Sequence, residues 1–192
     1  IKINIVLSLF RSGLGAQQVP GPVAVMALSL AMTLFVMSPV IEETRRLSAG
    51  IDFALLIQKP DPKRWVVLAP LMDPWRAFIT KHSGAKEIEL LSSLSGASSG
   101  GSQATAAGNT PPGLAVIIPA FVISEIKEGF AMGFVLLLPF LVVDLIVANV
   151  LVGMGMFMVS PAMISLPLKL ILFVLCDGWL LLTKGLVESY RL

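Results

Sequence analysis

Between Leu114 and Met158 the chain is almost continuously apolar for 45 residues, interrupted by Ser124-Glu125-Ile126-Lys127-Glu128-Gly129. A bilayer core takes about 20 helical residues, so this stretch is too long for one simple span. It reads as a helical hairpin or as two consecutive helices. Two other runs have membrane length: Val23 to Ile41, which carries no charge, and Ala162 to Thr183, which carries Lys169 and Asp177. The fold class that follows is all-α. We expect a membrane-type helical protein with Pro-broken helix hairpins and a small polar helical insertion between the first and second apolar blocks.

Composition agrees. The 192 residues are 56% hydrophobic and only 14% charged, with a mean hydropathy of +0.88, whereas soluble domains are about a quarter charged. A net charge of +2 is too small to argue for a nucleic-acid partner or an anionic lipid surface. The one cysteine, Cys176, excludes an internal disulfide, and the one histidine, His82, excludes a histidine-rich metal site. No nucleophile with a base, no phosphate-cradling glycine loop and no metal-ligand spacing is present. The chain therefore reads as no enzyme, with no catalytic residue, metal or cofactor.

Three segments are expected. Residues 1–47 hold N-terminal apolar helices. IKINIVLSLF is about half a span, so the chain reads as beginning inside a first hydrophobic segment. The turn GLGAQQVPGP (13–22) precedes the Val23–Ile41 run, which reads as stopping at Pro39 and the charged Glu42-Glu43-Thr44-Arg45-Arg46. Residues 48–113 form a polar helical domain; residues 42–113 hold eight Lys/Arg and seven Asp/Glu. Within it Trp65, Trp75 and Phe78 suit a small helical domain, and LAPLMDPWRAFITKH predicts a short helix begun by Asp73-Pro74. SLSGASSGGSQATAAGNTPPG (93–113) reads as a Gly/Ser/Ala loop. Residues 114–192 hold C-terminal apolar helical hairpins and a polar KGLVESYRL tail.

Charges inside apolar runs are the first candidate features. Glu125, Lys127, Glu128, Asp144, Lys169 and Asp177 lie where a lipid-facing helix carries none. A central membrane charge costs at least about 2.5–3.5 kcal/mol, so such groups pair or face water. They read as buried ion pairs between helices or subunits. The alternative is a membrane edge from which side chains snorkel, open to the Ser124–Gly129 group more than to the short Asp144. Pro119, Pro139, Pro161 and Pro167 read as helix breaks, which at membrane depth are tolerated where buried in protein or lining a cavity.

The stretch VGMGMFMVSP (152–161) places Met154, Met156 and Met158 at every second position. On a helix, residues two apart point roughly 200° from each other; in an irregular loop these three could share one side. Gly153 and Gly155 make the loop accessible. Unbranched methionine adapts its shape, which suits a seal that closes on nothing and moulds around cargo. Ordinary membrane filler is the competing reading.

SEIKEGFAMGFVLLLPFLVVDLIVANVLVGMGMFMVSPAMISLPLKLILFVLCDGW closely resembles the C-terminal half of the flagellar FliP and injectisome SctR (YscR, HrcR) family. LSLFRSGLGAQQVPGPVAVMALSLAMTLFVMSPVIEE resembles that family's first conserved block. The polar middle departs. LGAQQVP and KGLVESY are closer to the injectisome branch. The resemblance implies a core component of the type III secretion export gate in the bacterial inner membrane, its polar domain periplasmic. It implies a homo-oligomeric ring (pentameric in relatives) assembled with FliQ/SctS-like and FliR/SctT-like subunits, and beside FlhB/SctU-like and FlhA/SctV-like components. In relatives the resulting cone is largely lifted out of the bilayer plane, and unfolded secreted proteins pass through its centre. The family's methionine gasket maps onto Met156, Phe157 and Met158, with Phe157 where flagellar members commonly have methionine; Met154 joins on spacing alone. Glu125, Lys127, Asp144, Lys169 and Asp177 fall in matching blocks. The competing classes are a secondary transporter or ion channel using Asp144 and Glu125, and a passive membrane scaffold.

Overall fold

The computed structural model describes residues 1–15, 21–49, 70–98 and 113–191, and these contain helices and no strand. The helices are α1 (Lys2–Leu14), α2 (Pro22–Ser48), α3 (Asp73–Lys81), α4 (Ala85–Ser98), α5 (Leu114–Gly153), α6 (Pro161–Leu175) and α7 (Gly178–Glu188). By length and composition α2 and α5 can each cross a membrane; α6 and α7 could do so only as one span, but are bent by 65°. Two compact units divide the chain: Ile1–Val36 with Ile126–Leu192, and Met37–Glu125.

The first unit is organised around α1. Ile3, Val6, Leu7, Phe10 and Leu14 recur at three- and four-residue spacing and are buried, while Asn4, Ser8 and Ser12 on the other face are exposed. The helix ends at Gly15, whose φ of 72° is a left-handed value that glycine adopts without penalty. Phe10 is the hub of an aromatic cluster, with ring centroids 4.7 Å from Phe173, 5.7 Å from Trp179 and 5.9 Å from Phe140. Leu182 and Leu186 of α7 join this core.

The 114–158 run is neither a hairpin nor two helices. Its helical part is a single α5 of 40 residues, about 60 Å long. The polar Ser124–Gly129 group does not turn the chain, because Glu, Ile and Lys all propagate helix. Gly129 serves instead as a close-approach point: a Cβ there would lie 3.2 Å from the Lys2 Cα and 3.3 Å from the Ile5 Cβ. Gly133 meets Leu9 in the same way, and Gly13 meets Leu137 and Phe140. Contacts ascending together in both helices show that α1 and this part of α5 run parallel.

The proline breaks need correction. Pro119 and Pro139 lie within the continuous α5 and Pro167 lies within α6. A proline costs a helix about 3 kcal/mol, but ending the helix would leave several backbone groups unsatisfied in apolar surroundings, at several kcal/mol each. Pro161 alone marks a boundary, in the first turn of α6, where its missing N–H would have had no partner. Likewise α2 does not stop at Pro39 but continues to Ser48. Its charged end extends the helix, with Glu42 and Arg46 one turn apart at 3.6 Å.

In the second unit α3 begins at Asp73-Pro74 as its sequence predicts. The Trp75 indole donates to Thr44 Oγ1 at 3.0 Å. The Phe78 ring packs edge-on to Phe121, and the Gly84 N–H donates to Ser124 Oγ at 2.7 Å. Helix α4 extends through Ser98, so residues 93–98 are helical where a loop was expected. The remainder of that loop, 99–112, and Trp65 lie outside the described residues, as does much of the 48–113 segment.

On α7 a Cβ at Gly185 would meet nothing within 4 Å. Gly185→Ala is therefore expected to stabilise the protein by about 0.5–1 kcal/mol through helix propensity. A raised unfolding midpoint in detergent would show it, and a lowered one would contradict the open packing.

Candidate functional site

The methionine stretch forms an irregular connection between α5 and α6. Gly153 is the last helical residue, and Gly155 takes φ 76°. The Met156 N–H donates to the Leu151 carbonyl at 2.9 Å and the Gly155 N–H to the Val152 carbonyl at 3.0 Å. This pair of bonds is a Schellman cap, which requires a left-handed residue just past the helix. A weaker turn follows, the Val159 N–H donating to the Met156 carbonyl at 3.4 Å. Ser160 is then extended and Pro161 opens α6. Met154 and Met156 are exposed, Phe157 is 77% exposed and Met158 wholly so. Of the two backbone forms open to the sequence, the structure takes the irregular one, with Gly155 alone at positive φ in this stretch.

A second feature is the polar centre beneath these helices. Lys169 of α6 is buried, and its Nζ donates to Asp144 Oδ2 of α5 at 2.6 Å and to the Gly13 carbonyl at 3.0 Å. Ser165, one turn earlier on α6 and buried, hydrogen-bonds the same carboxylate. The lysine thus neutralises two negative features at once: the Asp144 carboxylate and the carbonyl end of α1. The exposures are unequal, 6% for the Lys169 side chain and 41% for Asp144.

A third cluster lies at the other end of α1. Lys2 is fully buried and its Nζ donates to Glu128 Oε2 at 2.7 Å. The same ammonium lies 4.1 Å from the centroid of the Tyr190 ring, a cation–π contact that ties the C-terminal tail to α1.

The candidate charges therefore have different fates. Asp144 and Lys169 meet, Glu128 meets Lys2, and Glu125 is buried. Lys127 and Asp177 are exposed and so are not buried charges within this chain. Asp177 occupies the break between α6 and α7, with φ 47° and no side-chain capping bond; short polar residues tolerate this conformation better than others. Among the described residues no group of three His, Cys, Asp or Glu side chains could hold a metal ion.

Sequence reasoning missed Lys2, the Gly13 carbonyl, Ser165 and Tyr190. Two of these carried a signal. Lys2 falls on the α1 stripe that includes Val6 and Phe10, and Ser165 falls one turn before Lys169. The Gly13 carbonyl carried none, because a backbone acceptor has no residue signature.

Comparison with known proteins agrees with this architecture. The FliP family model matches residues 1–186. The chain is 41% identical over 191 residues to the flagellar biosynthetic protein FliP of Caulobacter vibrioides, covering 100% of this chain and 68% of that protein. It is 37% identical over 190 residues to the Yop proteins translocation protein R of Yersinia pestis, covering 99% and 85%. It is 39% identical over 194 residues to the surface presentation of antigens protein SpaP of Shigella flexneri, again covering 99% and 85%. Flagellar and injectisome relatives match equally well, so identity does not favour the injectisome branch. This chain belongs to the FliP/SctR family, inner-membrane components of the type III export apparatus that are not enzymes.

Proposed function

We propose that the chain is a core subunit of the export gate, forming a homo-oligomeric ring through which unfolded proteins cross the inner membrane. The Met154–Met158 connection would supply the gasket that closes it. One observation carries this reading: three methionines and a phenylalanine stand exposed on an irregular turn fixed at both ends by helices. Exposed apolar clusters of this kind mark contact with another surface. Repeated around a ring, the tips would form an apolar constriction that excludes water and ions by dewetting. Methionine's flexible thioether would let that constriction part around a passing chain and close again.

The proposed partners are further copies of this chain, the two small FliQ/SctS-like and FliR/SctT-like subunits, the FlhB/SctU-like and FlhA/SctV-like components, and the exported proteins. The polar segment is proposed to be periplasmic. A transporter reading would require Asp144 to load and release an ion, and its carboxylate is instead engaged by Lys169 and Ser165.

The test is electrical. Replacing Met156, Phe157 and Met158 together by glycine in the assembled complex is expected to raise its resting ion conductance severalfold. Unchanged conductance in a fully assembled complex would sink the gasket.

A further inference from the structure

We propose that Gly155 is the positioning residue of the gate: its left-handed backbone, and not the space around it, aims the Met156–Met158 tip. This inference rests on the gasket reading above.

Three observations carry it. Gly155 has φ 76°, a value that L-residues adopt at a penalty. The longer Schellman bond depends on that value, since it brings the Met156 N–H, which follows Gly155 in the chain, back to Leu151; the bond from the Gly155 N–H to Val152 closes the helix just before it. The residues that follow have one further link, the 3.4 Å turn bond from Val159 to Met156. The direction in which the tip leaves α5 is thus set at one residue. The anchor it turns from is firm, because Leu151 is buried.

Space can be separated from conformation here. A Cβ on Gly155 would meet nothing within 4 Å, and the same holds for Gly153 two residues earlier. Gly153 is helical and Gly155 is not. An alanine at either site is therefore equally easy to accommodate sterically within the chain, and only at 155 does it oppose the backbone. Asparagine sharpens the contrast: it is larger than alanine yet enters the left-handed region more readily. Valine, branched at Cβ, is the worst fit to positive φ.

The experiment measures resting ion conductance of the assembled complex in membranes for Gly155→Asn, Gly155→Ala, Gly155→Val and Gly153→Ala. Native gel analysis monitors assembly alongside. The expected order of leak is Asn below Ala below Val, with Gly155→Ala raising conductance roughly tenfold, the population shift that a left-handed L-residue imposes. Gly153→Ala is expected to leave conductance as it was. If Val prevents assembly, the order of Asn and Ala still decides. An order that follows size, with Ala below Asn, would overturn the proposal, as would equal leaks from Gly153→Ala and Gly155→Ala. The triple glycine replacement at 156–158 separates the two readings. No leak from it would fail the gasket itself, whereas a leak from it with none from Gly155→Ala or Gly155→Val would fail only the positioning role.

Discussion

Replacing Asp144 by alanine is expected to destabilise the protein by about 3 kcal/mol, because it strands the buried Lys169 ammonium. Lys169→Met is expected to cost less, about 2 kcal/mol, within the range for a lost charge-assisted hydrogen bond. The asymmetry comes from exposure. Lys169 is enclosed at 6% while Asp144 retains 41% and can turn outward when its partner is lost. Methionine also keeps most of the lysine stem's packing. The charge-swapped double replacement, Asp144→Lys with Lys169→Asp, is expected not to recover stability. Position 169 also faces the Gly13 carbonyl at 3.0 Å, and a carboxylate there would set acceptor against acceptor. Unfolding midpoints in detergent would measure all four proteins. Full recovery in the swap, or a larger loss for Lys169→Met than for Asp144→Ala, would contradict the pairing described.

The second large effect is expected at Gly129. Gly129→Val should cost about 3 kcal/mol, the upper range for forcing extra atoms into a packed contact. The reason is what the new side chain meets: the Lys2 Cα 3.2 Å from its Cβ is backbone and cannot swing aside. Helix α1 would have to withdraw, and the 2.7 Å Lys2–Glu128 bond and the Tyr190 contact would go with it. Gly133→Ala makes the useful comparison. Its Cβ would meet the Leu9 Cδ1, which a rotamer change can move, and would also lie 3.1 Å from the Leu9 Cβ, which a rotamer change cannot move. Helix α1 must therefore still give slightly; the smaller side chain and improved helix propensity keep the cost below that of Gly129→Val. Equal midpoints for Gly129→Val and the unsubstituted protein would show that α1 is not held as described.

How legible was this in the sequence? The all-helical class and the membrane-length blocks were readable, because apolar length and backbone satisfaction are properties of a segment by itself. The start of α3 at Asp73-Pro74 was readable for the same reason: a proline in the first turn is a local signal. Glycine and proline were harder. Read locally, both are breakers, which is how Pro119 and Pro139 came to be expected as helix breaks; the hairpin expected within 114–158 followed from the length of that run. Gly129 and Gly133 instead admit the side chains and backbone of α1, while Pro119 and Pro139 are carried by an uninterrupted helix. The reverse error concerns Asp177. The run Ala162–Thr183 carries one turn signal, Asp177-Gly178, which its continuous apolar length obscures, and α6 and α7 part there by 65°. At Gly178 any Cβ would collide with the Phe173 ring, so the bend lets Phe173 and Trp179 approach at 5.3 Å and both reach Phe10.

By itself, then, the sequence determined the class of secondary structure, the membrane character and the composition of the Met154–Met158 stretch, since each depends on residues adjacent in the chain. Tertiary structure alone decided which charges meet, where the apolar runs bend, and that Lys2 and the Gly13 carbonyl belong to the polar anchoring of the fold. Lys2 and Glu128 are 126 residues apart, and Lys169 and Gly13 are 156 apart. Over such separations no periodicity or spacing links one residue to another; only the packing of α1 among the later helices brings them within bonding distance.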